Sequence, residues 1–384
     1  MKSSSREIRT AATPGLGILD EYPRVRLCRL PTPLEAMPNL GRALGGARVY
    51  VKRDDCTDLA FGGNKVRQLE FYLGEARQQG ADTILITGAV QSNFVRLAAA
   101  AARRSGMDCH IQLEERVRRD DSLYRNSGNV LLDRILGATL YSYPEGEDEE
   151  GADRRVAEIA EELKGEGRRP YIIPLGPGHP PLGALGYVVA AKELLEQIAS
   201  GQLSIDEVVV PSGSGHTHGG LLFGLRALGS QVRVTGVCVR RNAGPQKERI
   251  RDRCGEIAEL LETANPVADE DIRIVDDFLA PGYGRLNPPT LEAIRMAGSL
   301  EGLILDPVYT GKTMAGLIHR ARRSGPECSF LLMHTGGTPA IFAYGAELTA
   351  ELERRVPTAD SDSERRFPTA DSCGDRDVPA PMGD

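Results

Sequence analysis

At 384 residues, with 41% hydrophobic and 26% charged content, the chain is long enough for two domains and has the make-up of an ordinary globular protein. Its formal net charge is −7, of which residues 357–384 supply −4 through seven acids against three arginines. That balance excludes the basic footprint of a nucleic-acid binder.

No run of about 18 apolar residues occurs, so no membrane span is expected. The opening MKSSSREIRTAATPG lacks the apolar core of a secretory signal. Seven scattered cysteines, odd in number and without a C-x-x-C pair, fit reduced thiols in a cytoplasm better than a disulfide framework.

Residues 1–15 are polar and read as a flexible N-terminus. After the turn-rich Leu-Pro-Thr-Pro-Leu-Glu of 30–35, a short strand is expected at 48–52. Beyond Gly62-Gly63-Asn64-Lys65, the apolar residues Leu69, Tyr72, Leu73 and Ala76 fall at helical spacing, predicting a helix over 66–79 that stops at Gly80. Strand 83–87, an alanine-rich helix over about 93–105, strand 108–113, a helix around 127–136 closed by Gly137, and strand 138–142 follow. A helix over 153–164 lies in a highly charged stretch.

Tyr171-Ile-Ile-Pro reopens a strand, and 182–198 reads as helical. Strand 206–211 runs into Ser212-Gly-Ser-Gly-His-Thr-His-Gly-Gly220, then a helix over about 219–228 and strand 233–239. The alternation continues through 272–275, 288–298, 312–323 and 329–333. It predicts an α/β fold of mostly parallel sheets flanked by helices, with right-handed crossovers. A small α/β domain of 68–171 is expected as an insertion in a large domain of 16–67 plus 172–350. Residues 351–384 are expected to form a disordered acidic tail. Within it Glu-Arg-Arg-Val-Pro-Thr-Ala-Asp-Ser (353–361) recurs with one change at 364–372.

Two familiar phosphate fingerprints fail. Gly213-x-Gly215-x-x-His218 has histidine where a dinucleotide turn needs a small residue, and Gly311-Lys312-Thr313 lacks the P-loop's first glycine, position 306 being Asp. The 212–220 stretch does offer a small-residue loop before a helix start, where free N–H groups and the hydroxyls of Ser214 and Thr217 can converge on one phosphate. An ordinary glycine-rich turn explains it equally well. Only 7 of the 47 basic residues are lysines, and Lys65 follows two glycines that allow a flat ligand to approach. An exposed helix-start lysine is the plain alternative; Schiff-base chemistry needs an amine that can be neutral near pH 7.

Gln91-Ser92-Asn93 stands where a strand hands over to a helix. Capping alone would account for Ser and Asn there, while three polar residues together suit a grip on a substrate carboxylate, with Asn93 on a ring hydroxyl. Tyr283 and Tyr309 lie in glycine-bounded loops, and Thr335 follows a buried strand. The six histidines show no metal-ligand spacing, and no metal is expected.

Taken together these segments closely resemble the 1-aminocyclopropane-1-carboxylate deaminase/D-cysteine desulfhydrase family, pyridoxal 5'-phosphate enzymes on the tryptophan synthase β-like fold. The resemblance runs from Leu30-Pro-Thr-Pro-Leu-Glu to Phe342. It includes Arg53-Asp-Asp, Gly62-Gly-Asn-Lys-x-Arg-x-Leu-Glu70, Gln91-Ser-Asn93, Gly128-Asn-x-Leu-Leu-Asp133, Leu182-Gly-Ala-Leu-Gly-Tyr187, Gly282-Tyr-Gly284, Asp306-Pro-Val-Tyr-x-Gly-Lys312 and His334-Thr-Gly-Gly337. It implies that Lys65, beside Asn64, carries the cofactor and moves the α-proton. Asn93 would bind the ring's phenolic oxygen, and Gly213, Ser214, Gly215, His216 and Thr217 its phosphate. Thr335, followed by Gly336, would sit by the pyridine nitrogen. Gln91, Ser92, Asn93 and Phe94 would face the substrate, flanked by Tyr283 and Tyr309.

Thr310 stands where the deaminase branch places a carboxylate by the ring, which favours α,β-elimination on a β-substituted amino acid such as D-cysteine. The enzyme alternatives are an L-cysteate sulfo-lyase, the cyclopropane deaminase and an amino-acid racemase. A cofactor-retaining amino-acid-binding protein is the non-enzymatic one. Three departures from the family pattern are Phe94 in place of His, His216 in place of Gly as an added cation by the phosphate, and the turn Gly176-Pro-Gly-His179. A homodimer is implied by the resemblance.

Overall fold

The structure is a computed structural model that describes residues 16–174 and 179–353. The expected flexible start, the residues preceding His179 in its turn, and the tail from 354 onward lie outside the described residues. Ten strands follow in chain order: β1 (Leu34–Ala36), β2 (Arg48–Arg53), β3 (Thr83–Ala89), β4 (Asp108–Glu114), β5 (Thr139–Tyr143), β6 (Pro170–Ile173), β7 (Glu207–Ser212), β8 (Arg233–Cys238), β9 (Arg273–Val275) and β10 (Ser329–His334). They form a six-stranded sheet of order β1-β2-β10-β7-β8-β9 and a four-stranded sheet of order β5-β4-β3-β6. All pairings are parallel except β1 with β2.

The helices are α1 (Pro38–Ala43), α2 (Asn64–Gln78), α3 (Asn93–Arg104), α4 (Ser122–Asn126), α5 (Gly128–Ile135), α6 (Glu149–Gly165), α7 (Leu182–Ser200), α8 (His216–Ala227), α9 (Ala243–Leu260), α10 (Pro288–Glu301), α11 (Thr310–Ala321), α12 (Ala340–Ala343) and α13 (Gly345–Glu353). Every residue of β3, β7 and β10 is buried, as expected of strands covered by helices on both faces. The main apolar cluster runs from α2 and α3 through α7 and α8.

Among the elements that differ from the sequence expectation, helix α13 takes in residues 351–353 of the expected tail, and three others bear on the domains and the site. β6 spans the expected 171/172 boundary and stays with the smaller sheet. Helix α8 begins at His216 rather than near 219, because the left-handed Gly215 (φ +94°) turns the chain straight into it. Helix α9 has no counterpart among the predicted elements; its few apolar positions, Ile250, Cys254 and Ile257, are diluted by charge.

The topology fixes where a ligand can sit. From β3 the chain's next strand, β4, lies to one side and β6 to the other; β7 likewise separates β8 from β10. Each is the strand at which its sheet's order reverses. In open parallel sheets the crevice beyond the carboxyl end of such a strand is the binding position. Both crevices open into one cavity.

A buried ionic network secures the helix that enters it. The Arg67 guanidinium donates two 2.9 Å bonds to Asp54 and two more to Glu193, while Tyr187 donates to Asp54 at 2.5 Å. Lys52 joins through Glu193 at 2.5 Å. The Arg53-Asp-Asp, Lys-x-Arg and Leu-Gly-Tyr segments thus meet behind the first turn of α2.

Candidate active site

Lys65 is the second residue of α2. The turn before it is possible only with glycine: a Cβ on Gly62 (φ +61°) would lie 1.9 Å from the Asp55 carbonyl oxygen, and one on Gly336 would lie 2.7 Å from the Gly63 Cα. The close approach of these backbones is sealed by Asn64 N–H donating to the Thr335 carbonyl at 3.1 Å. Lys65 Nζ donates to Gln68 Oε1 at 3.2 Å and lies 4.7 Å from the centre of the Phe94 ring. Burial lowers its ammonium pKa from 10.5 to about 8. The amine is therefore far more available near neutral pH than an exposed lysine, as covalent chemistry on a carbonyl requires.

The β7–α8 junction lies in the same cavity, with Gly213, Ser214, Gly215 and Thr217 in its wall. The first N–H groups of α8 lack intrahelical acceptors, and the helix dipole adds partial positive charge. Thr217 Oγ1 accepts from Asn64 Nδ2 at 2.8 Å and from Gln68 Nε2 at 2.9 Å. With both acceptor positions filled, its hydroxyl proton remains to be donated. Asn64 thus acts by aligning Thr217.

At the β3–α3 junction Ser92 caps α3, its Oγ accepting from Phe94 N–H at 3.2 Å and Val95 N–H at 3.5 Å. Ser92 and Asn93 both line the cavity. Asn129 Nδ2 donates to Asn93 Oδ1 at 2.9 Å, which fixes the Asn93 amide so that its nitrogen is the group offered onward. Arg96 in turn holds Asn129 and the Gly62 carbonyl, at 3.2 and 2.9 Å.

Across the cavity the hydroxyls of Tyr283 and Tyr309 are 2.6 Å apart. Burial raises both phenols above their ordinary value, and Tyr283 further raises Tyr309, whereas the bond from Tyr309 pulls Tyr283 back down. Arg116, doubly bonded to Glu114 at 2.8 and 2.9 Å, also favours phenolate. Thr335 and Gly336 complete this wall.

Three expected contacts are not formed. Gln91 donates to the Tyr124 and Ser127 carbonyls and accepts from Asn129 N–H, so it ties α4 and α5 to β3 and does not face the cavity. Thr310 turns its hydroxyl to Asp306, donating to Oδ1 at 2.7 Å and accepting from the Asp306 N–H at 2.8 Å; it holds the start of α11 and is absent from the cavity wall. His216 packs inward, its ring nitrogens 3.5 Å from the Tyr72 hydroxyl and 3.3 Å from Ser214 Oγ. Burial, with Arg253, Lys65 and Arg249 nearby, keeps it neutral, so it supplies no cation. Phe94 does line the cavity. What the sequence reading missed is a group of arginines in the same wall, Arg240, Arg241 and Arg249, carried by the turn that follows β8 and by the unpredicted α9.

The donor set fits pyridoxal phosphate. A lysine of lowered pKa provides the covalent anchor, helix-start amides with the Thr217 hydroxyl face a phosphate, Asn93 offers an N–H to a phenolic oxygen, and Thr335 offers a hydroxyl. Among the described residues no group of three or more His, Cys, Asp or Glu side chains could hold a metal ion. None of the described helices is long and apolar enough to cross a membrane.

Comparison with known proteins gives the same direction. The model of a family described as pyridoxal-phosphate dependent enzyme matches residues 25–336. D-cysteine desulfhydrases from Salmonella choleraesuis (strain SC-B67) and Salmonella paratyphi C (strain RKS4594) are each 42% identical over 328 residues, 85% of this chain and 97% of theirs. The solved structure of an ACC deaminase homologue superposes with a TM-score of 0.78 at 38% identity, covering 88% of this chain and 99% of that one. O-ureido-L-serine synthase, at 19% identity, shares the fold with a TM-score of 0.58 over 85% of this chain and 94% of its own.

Proposed function

Because the chain belongs to the family of pyridoxal-phosphate-dependent enzymes, we propose that it catalyses α,β-elimination on a β-substituted amino acid, converting D-cysteine to pyruvate, ammonia and sulfide. The fold is tryptophan synthase β-like, and the enzyme is a lyase of the D-cysteine desulfhydrase type. The observation that carries the reading is an amine held at a pKa of about 8 in the cavity where both sheets reverse, opposite a hydrogen-bonded tyrosine pair.

When bound, pyridoxal phosphate supplies an electron sink for the charge left at the α-carbon. The chain's own groups do the rest. Lys65 would hold the cofactor and take the α-proton on Nζ. The Ser92 hydroxyl, whose oxygen already accepts from the α3 amides, would donate to the substrate carboxylate. Asn93, fixed by Asn129, and Thr335 would set the ring's tilt, and Thr217 with the α8 amides would seat its phosphate. The Tyr283–Tyr309 pair would deliver a proton to the departing sulfur. In sum the Cα–H and Cβ–S bonds break, sulfur leaves with its electron pair, and water releases ammonia from the remaining three-carbon unit.

A cytoplasmic location suits the free cysteines at 28, 56, 109, 238, 254 and 328. A homodimer is the assembly we expect, and the exposed apolar side chains on α4, α5 and α12 support it.

The test is an absorption spectrum of the purified protein with the cofactor, before and after D-cysteine, with sulfide and pyruvate assayed together. A visible band that disappears in Lys65→Ala, together with both products in equal amounts, is the expected result. A band without products would overturn elimination on D-cysteine, and no band would overturn the role of Lys65.

A further inference from the structure

We propose that Lys312 is a positioning residue for the leaving-group proton: through two backbone carbonyls it holds the loop that carries Tyr283 at hydrogen-bonding distance from Tyr309. The proposal deepens the elimination reading above and rests on it.

Lys312 is the third residue of α11, fully buried and outside the wall of the active-site cavity. Its Nζ donates to the Leu279 carbonyl at 2.7 Å and to the Gly282 carbonyl at 3.0 Å. Both acceptors are neutral and belong to one loop. Burial lowers the ammonium pKa from 10.5 to about 8, with no neighbouring carboxylate to raise it. A buried amine is unfavourable unless its hydrogen bonds are well made. What this one stabilises is the shape of the loop.

The Gly282 carbonyl belongs to the planar peptide unit that joins Gly282 to Tyr283, so holding its oxygen fixes where Tyr283 begins. Packing does not do this, since a Cβ built on Gly282 would meet nothing within 4 Å. Other groups hold the rest of the loop. Asn287 Nδ2 donates to the Phe278 and Ala280 carbonyls at 2.9 and 2.6 Å, and the Tyr344 hydroxyl donates to the Gly284 carbonyl at 2.9 Å.

Tyr309 is set by the same turn of α11. Its N–H donates to Asp306 at 2.9 Å, and its carbonyl accepts from the Thr313 N–H at 3.0 Å and hydroxyl at 2.8 Å. One helix start therefore fixes Tyr309 directly and Tyr283 through Lys312. In this way two phenols 26 residues apart in the chain meet at 2.6 Å.

The arrangement matters for a leaving group that needs a proton. With D-cysteine the Cα–H bond breaks with its proton passing to Lys65, the Cβ–S bond breaks with the pair leaving on sulfur, and the tyrosine pair gives sulfur a proton that solvent restores. Chloride is too weak a base to need one. From 3-chloro-D-alanine it departs with its electron pair alone, and water releases ammonia to give pyruvate as before.

The test compares the two amino acids on the full-chain holoenzyme, using Lys312→Met, which keeps an apolar stem and removes the donor. For D-cysteine kcat should fall by about tenfold or more with little change in KM, while turnover of 3-chloro-D-alanine falls by about threefold at most. The cofactor absorbance per chain should not change. Adding Lys312→Met to Tyr283→Phe should cause no further loss on D-cysteine. In the cofactor-free protein, amide hydrogen exchange over residues 279–286 should quicken in Lys312→Met by about tenfold, with the body of α11 unaltered.

Equal losses on both amino acids would overturn the proposal, as would an additive loss in the double variant or unchanged exchange in the loop. Should Lys312→Met fail to fold, Lys312→Gln keeps an N–H donor on a shorter arm and should show the same selective loss; an unselective one would count against Lys312 equally. Pyruvate from both amino acids without selectivity would sink the role of Lys312 and leave elimination standing. No pyruvate from either with the wild type would sink elimination and the proton role with it, whereas faster exchange in Lys312→Met would still establish the hold on the loop.

Discussion

Lys65 illustrates how much of a residue's chemistry is set by what surrounds it. Among the described residues the ammonium has one side-chain hydrogen bond, to Gln68, and the face of Phe94 on another side. A cation–π contact of this kind favours the charged form by about 0.5–2 kcal/mol, yet desolvation dominates and the pKa falls to about 8. The sign follows directly. Below about pH 8 the amine is protonated, and its neutral fraction rises about tenfold per unit from pH 6 to 8, then levels off. Burying the charged ammonium also costs the native state stability, in full below about pH 8, a cost that vanishes as pH rises towards 10.5. Labelling of Lys65 in the cofactor-free protein by an amine-selective reagent, followed by peptide mass spectrometry, should plateau above pH 8 while exposed lysines continue to gain to pH 10. A Lys65 profile parallel to the exposed ones would contradict the desolvation account.

The elements supply groups that no residue offers alone. Helix α8 presents its free amides because Gly215 can adopt a positive φ, and its second residue, Thr217, is loaded by Asn64 and Gln68 from α2. Thr217→Val removes a hydroxyl aimed at the phosphate and leaves two amides without an acceptor. A hydrogen bond to a charged group contributes about 1.5–3 kcal/mol, so the half-saturating cofactor concentration should rise about ten- to a hundred-fold in an absorption titration, with the far-ultraviolet circular dichroism unchanged. An unaltered titration would show that the cradle does not use Thr217. The alternating elements were legible in sequence because β3, β7 and β10 are short apolar runs bounded by turns. Helix α9 was not, since its buried face is only a few residues wide in a run of charges.

At the scale of the whole molecule, an apolar surface stays uncovered among the described residues. Leu123 on α4, Leu131 and Ile135 on α5, and Phe342 on α12 are 43%, 45%, 69% and 65% exposed, and α12 packs against both α4 and α5. Contiguous exposed apolar side chains of this kind mark an association site. We expect a second copy of the chain to cover it, burying Ile135 and Phe342 on both sides of a two-fold axis. Wild-type protein should sediment as a dimer, and the double substitution Ile135→Asp with Phe342→Asp should give a folded monomer. A monomeric wild type would contradict the assignment.

The ordered motifs settled the family, the fold and the cofactor, because a strand that hands a glycine-rich turn to a helix does so through local geometry that the residues themselves encode. The choice of Lys65 as the candidate anchor was likewise legible from two adjacent glycines and the scarcity of lysine. What each polar side chain faces was not. Gln91, Thr310 and His216 are as polar as Ser92, Asn93 and Thr217, and only packing decides that the first three satisfy buried neighbours while the others border the cavity. The arginine cluster is the extreme case. Arg240 and Arg241 meet Glu149 across nearly a hundred residues of chain, and their electrostatics exist only once β8, α9 and α6 are brought together. Hydrogen-bond satisfaction and charge balance depend on distance in space, which a one-dimensional pattern does not carry.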